Sequence, residues 1–118
     1  MGIRLVRLYT GRDGESHVTD GHVELGTPEA PTARSAVDDA ATVTFAESAR
    51  GSSLSWHNAP ERQYVITLSG TLEFETRVGE RVTIAQGDVL LAEDTTGGGH
   101  RWRLVDDQPW RRAYVALA

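Results

Sequence analysis

Residues 51–70, GSSLSWHNAPERQYVITLSG, decide how this chain is read. Two strand-like runs, 54–57 and 64–69, are parted by Asn58, Ala59 and Pro60 and closed by Gly70. In a strand, successive side chains point to opposite faces. Ser53, Ser55 and His57 then share one face, opposite Leu54 and Trp56. Beyond the loop, Gln63, Val65 and Thr67 fall together, opposite Tyr64, Ile66 and Leu68. One histidine and one glutamine thus flank a turn, each on a face with small or apolar neighbours.

The same pattern runs through the rest of the chain. Strands are expected at 3–9, 17–24, 42–46, 71–76, 81–84, 89–92, 101–105 and 112–117, with turns at 11–14, 70, 78–80, 86–88 and 95–99. Short runs broken by Gly, Asp, Asn and Pro argue for an all-β sandwich or barrel and against alternating strands and helices. The segment 26–39, with Pro28, Pro31 and several alanines, is the least strand-like. It is expected to form either a short helical turn around 33–41 or an extended lid. With 118 residues, the chain is expected to be one domain, 1–118.

Composition prunes the chemistry. The absence of cysteine removes disulfides, thiolate nucleophiles and sulfur-ligated metals. Every one of the 12 basic residues is arginine, so Schiff-base lysines and lysine-bearing phosphate loops are excluded. A net charge of -5 argues against nucleic acid, whose phosphates require a basic face. No run of about 20 apolar residues is present to cross a membrane. The opening MGIRLVRLYTGRDGES lacks the apolar core of a signal peptide, so a cytoplasmic location is expected.

The glycine and histidine spacing between 51 and 104 resembles the cupin superfamily, small β-barrels of the jelly-roll type. Gly51, His57 and Gly70 stand at the spacing of the first cupin motif. Ala59 replaces its second histidine, and Gln63 its carboxylate. In the second motif Gly87 is present, Glu93 and Thr95 replace a proline and a glycine, and the histidine arrives at His100 after two extra residues. The LSGTLEFET and QGDVLLAEDT stretches fit the same pattern. The resemblance implies an all-β, cupin-like jelly-roll barrel of about 8–10 antiparallel strands. It also implies that His57, Gln63, His100 and Trp102 converge on its interior.

A typical cupin metal site has three histidines and a carboxylate. Here His57, Gln63 and His100 offer two imidazoles and one neutral amide, so a divalent transition metal on these three is the minority expectation. Asp94 or Glu93 could add a carboxylate if the loop 95–99 folds inward. Without metal, His57 and His100 suit general acid–base chemistry or hydrogen bonding to a polar ligand. Asp94 could pair with His100 or simply cap a turn. Arg62 could clamp a substrate carboxylate or form a surface ion pair. The run Gly97–Gly99 lacks the lysine and helix of a phosphate loop and reads as a flexible turn.

His17 and His22 read as surface residues beside a turn at Asp20 and Gly21. Trp56 and Tyr64, on the face away from His57 and Gln63, suit sheet packing or a homodimer interface. Trp110, Arg111 and Arg112 read as an edge or partner contact. The functions that follow are a proton-transfer enzyme acting on a small organic metabolite, with a metal-dependent dioxygenase using His57, Gln63 and His100 as its variant, a non-catalytic ligand-binding module, or a structural partner whose pocket is vestigial.

Overall fold

The computed structural model describes residues 2–27, 29 and 31–118. Pro28, one of the prolines that set 26–39 apart, lies outside the described residues. Ten strands are present: β1 Arg4–Thr10, β2 Ser16–His22, β3 Ala40–Ser48, β4 Ser53–His57, β5 Gln63–Ser69, β6 Leu72–Thr76, β7 Arg81–Ile84, β8 Val89–Ala92, β9 His100–Leu104 and β10 Trp110–Leu117. Each expected run became one of them. The helical alternative for 33–41 is not realised. The Gly26 N–H donates to the Arg34 carbonyl, Glu29 and Thr32 exchange backbone bonds, and Ala40 already belongs to β3. Asp20 and Gly21 lie inside β2, paired with β1, rather than in a turn. No helix among the described residues is long and apolar enough to cross a membrane.

The strands form two sheets, one ordered β2-β1-β8-β5-β10-β3 and the other β4-β9-β6-β7. Two expectations are corrected here. Strand β1 runs parallel to β8, so the strands are not all antiparallel. A parallel neighbour needs a long connection, and most of the chain lies between these two. The sheets also do not close into a barrel, because among the described residues no strand ladder joins one sheet to the other. They face each other as a sandwich.

Between the sheets lies the core. Val6, Leu8, Val65 and Leu90 from the six-stranded sheet meet Leu72, Phe74, Ile84 and Leu104 from the four-stranded one. The burial of β6 and β7 alternates without a break, as a half-exposed sheet requires. An aromatic cluster fills the middle. Trp102 and Trp110 pack edge to face with centroids 4.7 Å apart, and Phe74 meets Trp110 at 6.1 Å. The Trp110 indole N–H is satisfied by Thr67 Oγ1 at 3.2 Å. Trp110 is therefore core, not the edge contact expected of it.

Where a ladder is missing, side chains join the sheets. In the β6–β7 turn, the Glu80 carboxylate accepts the Val18 N–H of β2 at 2.8 Å and lies 2.7 Å from His17 Nδ1. His17 Nε2 meets Asp13 at 2.9 Å. His17 is thus clamped rather than free on the surface. Glu80, followed by Asp13, raises the His17 imidazole above its ordinary value. The Val18 N–H, followed by His17, lowers the Glu80 carboxyl.

The signs define a window. A raised histidine stabilises fully below its unfolded value and loses that contribution as pH rises through its folded value. A depressed carboxylate contributes above its unfolded value and loses this as pH falls through its folded one. Wild-type protein is therefore expected to lose thermal stability as pH rises above about 6.5, the ordinary imidazole value, while the histidine deprotonates. Glu80→Gln should flatten that slope. Equal slopes in both proteins would remove the clamp from the account.

Candidate functional site

A cavity of about 330 Å³ opens between the sheets. This is the small end of the range for small-molecule sites. One wall comes from the inward faces of β5, β10 and β3, with Gln63, Val65, Trp110, Arg112, Tyr114 and Thr44. The other comes from His57, Phe74, His100 and Trp102. The sequence expectation that His57, Gln63, His100 and Trp102 converge describes where these four side chains lie.

His57 ends β4, opposite His100 of β9. The register shifts between Leu54 and His57, so Leu54 lines the cavity together with His57 and strict alternation fails there. The His57 Nδ1–H donates to the Ser55 carbonyl at 2.7 Å. A carbonyl can only accept, so the proton of the neutral ring sits on Nδ1 and Nε2 keeps its lone pair. Burial lowers the His57 imidazole below its ordinary value. The Ser55 bond opposes this, and nearby His100 adds to it. His57 is thereby a neutral base with Nε2 available.

His100 is held from behind. Its Nδ1–H donates to Asp94 Oδ2 at 2.5 Å, and the same oxygen accepts the Ser16 hydroxyl at 2.6 Å. Asp94 is fully buried, and its Oδ1 has no partner among the described residues. The carboxylate thus fixes the ring orientation, leaving Nε2 as the other working nitrogen. The two imidazole rings lie 4.4 Å apart, centroid to centroid, in an edge-on arrangement. Of the two readings open for Asp94, the structure realises the pairing with His100.

The loop beside His100 is the turn expected, and hydrogen bonds tie it to distant segments. The Gly98 N–H donates to the Gly14 carbonyl at 3.0 Å, Arg77 Nε to the Gly98 carbonyl at 2.8 Å, and Asn58 Nδ2 to the Gly97 carbonyl at 3.2 Å. At Gly99, φ is +78° and an added Cβ would lie 2.7 Å from the His57 carbonyl carbon. Close approach is what the glycine there permits. Backbone packing of this loop sets where His57 meets His100.

Arg62 does not reach the cavity. Its Nε donates to Glu93 Oε2 at 2.5 Å, and Arg7 takes the other oxygen of that carboxylate. Burial acts to raise the Glu93 carboxyl, but Arg7 and Arg62 outweigh it and leave it below its ordinary value. Glu93 is therefore committed outside the site. Trp56 lies between Arg77 and Arg101, whose guanidinium carbons stand 4.4 and 4.7 Å from the ring centroid. The Tyr64 hydroxyl donates to Asp38 at 2.6 Å.

The donor set fits a metal poorly. Among the described residues, no group of three histidine, cysteine or carboxylate side chains could hold a metal ion. Asp94 sits on the Nδ1 side of His100, so it would not reach a cation on Nε2. His57 Nδ1 is likewise spent on Ser55. Two imidazoles and the neutral Gln63 amide remain, without a compensating charge.

Sequence reasoning missed Arg112 and Tyr114 as site residues. Trp110, Arg112, Tyr114 and Ala116 occupy alternate positions on one face of β10, and all line the cavity. The signal was an arginine inside an otherwise inward-facing alternation, obscured because the strand was expected to begin at 112. Ser16 gave no signal, since only the fold brings it to Asp94.

No family model matches this chain, and no curated protein matches it. Among solved structures the chain is similar to a conserved protein of unknown function from Streptococcus pyogenes. The two share 20% sequence identity and a TM-score of 0.46, over 64% of this chain and 61% of that one. The present chain thus spans about three-fifths of that protein's length.

Proposed function

We propose that the chain is a small cupin-like jelly roll whose cavity takes up a small organic metabolite and moves a proton on it, as an isomerase, cyclase or lyase does. The fold reading is supported by the motif glycines: Gly51, Gly70 and Gly87 all take positive φ. At Gly70, moreover, a Cβ would stand 2.9 Å from the Pro109 carbonyl oxygen. A homodimer is proposed through the outer face of edge strand β3, where Phe45 is 73% exposed.

The observation that carries the chemistry is the imidazole pair. His57 Nε2 has a lone pair, and His100 is oriented by a buried carboxylate, with the rings 4.4 Å apart. In the proposed step, His57 Nε2 takes a proton from a carbon beside a carbonyl, and the C–H electron pair moves onto the carbonyl oxygen. In the doubly protonated form of His100, with its Nδ1–H on Asp94, the Nε2–H hydrogen-bonds that oxygen and stays on the ring. Return of the His57 proton to a different carbon completes an isomerisation with no other reactant. Gln63 can hydrogen-bond a neutral oxygen, and Trp102 supplies a flat wall. Asp94 acts through His100 as a positioning residue.

Incubation with small cyclic ketones and keto acids in D₂O tests this. Wild-type protein should catalyse deuterium incorporation at the acidic carbon, and His57→Ala and His100→Ala should abolish it. Binding without exchange would favour a non-catalytic ligand-binding module. Unchanged exchange in both variants would reject the roles assigned. Because burial lowers His57, the acid limb of kcat/KM is expected below about pH 6.5. An acid limb well above that value would point to another base.

A further inference from the structure

We infer that the cavity selects carboxylate-bearing ligands and that Arg112 is the residue that recognises them. The inference rests on the cavity reading above and names its ligand class. Arg112 is only 8% exposed, yet no carboxylate pairs with it among the described residues. All its partners there are neutral: Nε donates to the Tyr114 hydroxyl at 3.0 Å, and Nη1 to Ser48 Oγ at 2.8 Å and the Trp110 carbonyl at 3.0 Å. The guanidinium lies over the Trp110 ring, 3.8 Å from its centroid. These contacts satisfy N–H groups and fix the plane of the fork, but they bring no negative charge.

A buried cation without a counter-ion is costly, and elsewhere this chain avoids it. Arg4, Arg7, Arg62, Arg81 and Arg101 each meet an acid, although all are more exposed than Arg112. Nη2 of Arg112 forms none of the bonds above. It is also absent from the sealed, unpartnered atoms, which among the described residues are one oxygen each of Glu15 and Asp94. Nη2 is thus uncommitted among these bonds, and Arg112 lines the cavity. Around Arg112 the lining is largely aromatic and aliphatic, with the Thr44 side chain on the strand next to Tyr114; His57, Gln63, His100 and one acid, Glu61, also line the cavity. One open guanidinium nitrogen and one neighbouring hydroxyl suit a carboxylate on a small, flat organic body.

Benzoate and its uncharged analogue benzamide separate the possibilities, read by quenching of Trp102 and Trp110 and by the NMR signal of the Arg112 Nε–H. Benzoate is expected to bind at least about ten-fold more tightly than benzamide and to shift the Arg112 signal. Arg112→Met should erase that preference. Its thermal unfolding reports whether the fold survives, and the wild-type Arg112 signal decides the matter if it does not. Equal binding of both compounds, with no shift at Arg112, would overturn the carboxylate inference while leaving the cavity reading intact. A preference retained in folded Arg112→Met would overturn it as well. Binding of neither compound would count against both readings.

Discussion

Gly99→Ala is expected to destabilise the protein by about 3 kcal/mol or more, with loss of the His57–His100 arrangement. Two costs combine. A non-glycine residue at positive φ costs about 1–3 kcal/mol, and an added carbon in a packed interior costs a similar amount. The atoms in its way belong to the His57 backbone, which cannot swing aside as a side chain can. Gly79→Ala is the control: its φ is +87°, but a Cβ there meets nothing within 4 Å. Only the conformational cost, about 1 kcal/mol, should appear. Denaturant unfolding of both variants measures the difference. Equal losses would mean that the close approach at Gly99 is unimportant.

The second large effect is expected at Asp94. Replacement by alanine strips the acceptor from two buried donors, the Ser16 hydroxyl and the His100 Nδ1–H. Each orphaned donor costs about 1–3 kcal/mol. Part of this is returned, because Asp94 Oδ1 is itself buried without a partner and its removal ends that cost. The net expectation is a loss of about 2–3 kcal/mol. The imidazole should respond too, since nothing then holds the proton on Nδ1, and ¹⁵N NMR of the ring reads the tautomer directly. Ser16→Ala in the Asp94→Ala background should recover stability, because it deletes one of the orphans. Wild-type stability and an unchanged His100 tautomer in Asp94→Ala would rule out this account of the buried carboxylate.

Strand positions were legible because a half-buried strand writes its burial into every second residue. Gln63, Val65 and Thr67 were assigned to one face correctly, and all three are buried. The rule broke at β4, where a register shift turned Leu54 toward the cavity with His57. Arg62 and Arg112 show what local sequence cannot carry. An arginine's role depends on which acid the fold brings to it: Glu93 came to Arg62, whereas none came to Arg112. Gly97–Gly99 is the turn expected, but the need for glycine there was hidden, because the backbones of Gly14 and His57 come from distant segments. The parallel β1–β8 pairing likewise left no local mark. The Asp94–His100 pairing was within reach because the two residues flank one loop.

Strand order also has a kinetic consequence. In the six-stranded sheet only β1 and β2 are neighbours in both sequence and space; β8 must reach back to β1, and β10 must insert between β5 and β3. Contacts of such long sequence separation are slow to form, because loop closure costs entropy before any pairing rewards it. Until β10 docks, β3 and β5 each present an unpaired edge, a template for pairing with another chain. Arg112 and Trp110 arrive on that same strand, so the guanidinium-bearing wall is among the last parts of the molecule to be built. Refolding should therefore be slow and concentration-sensitive, and ligand binding should return with the slow phase rather than with early strand signal.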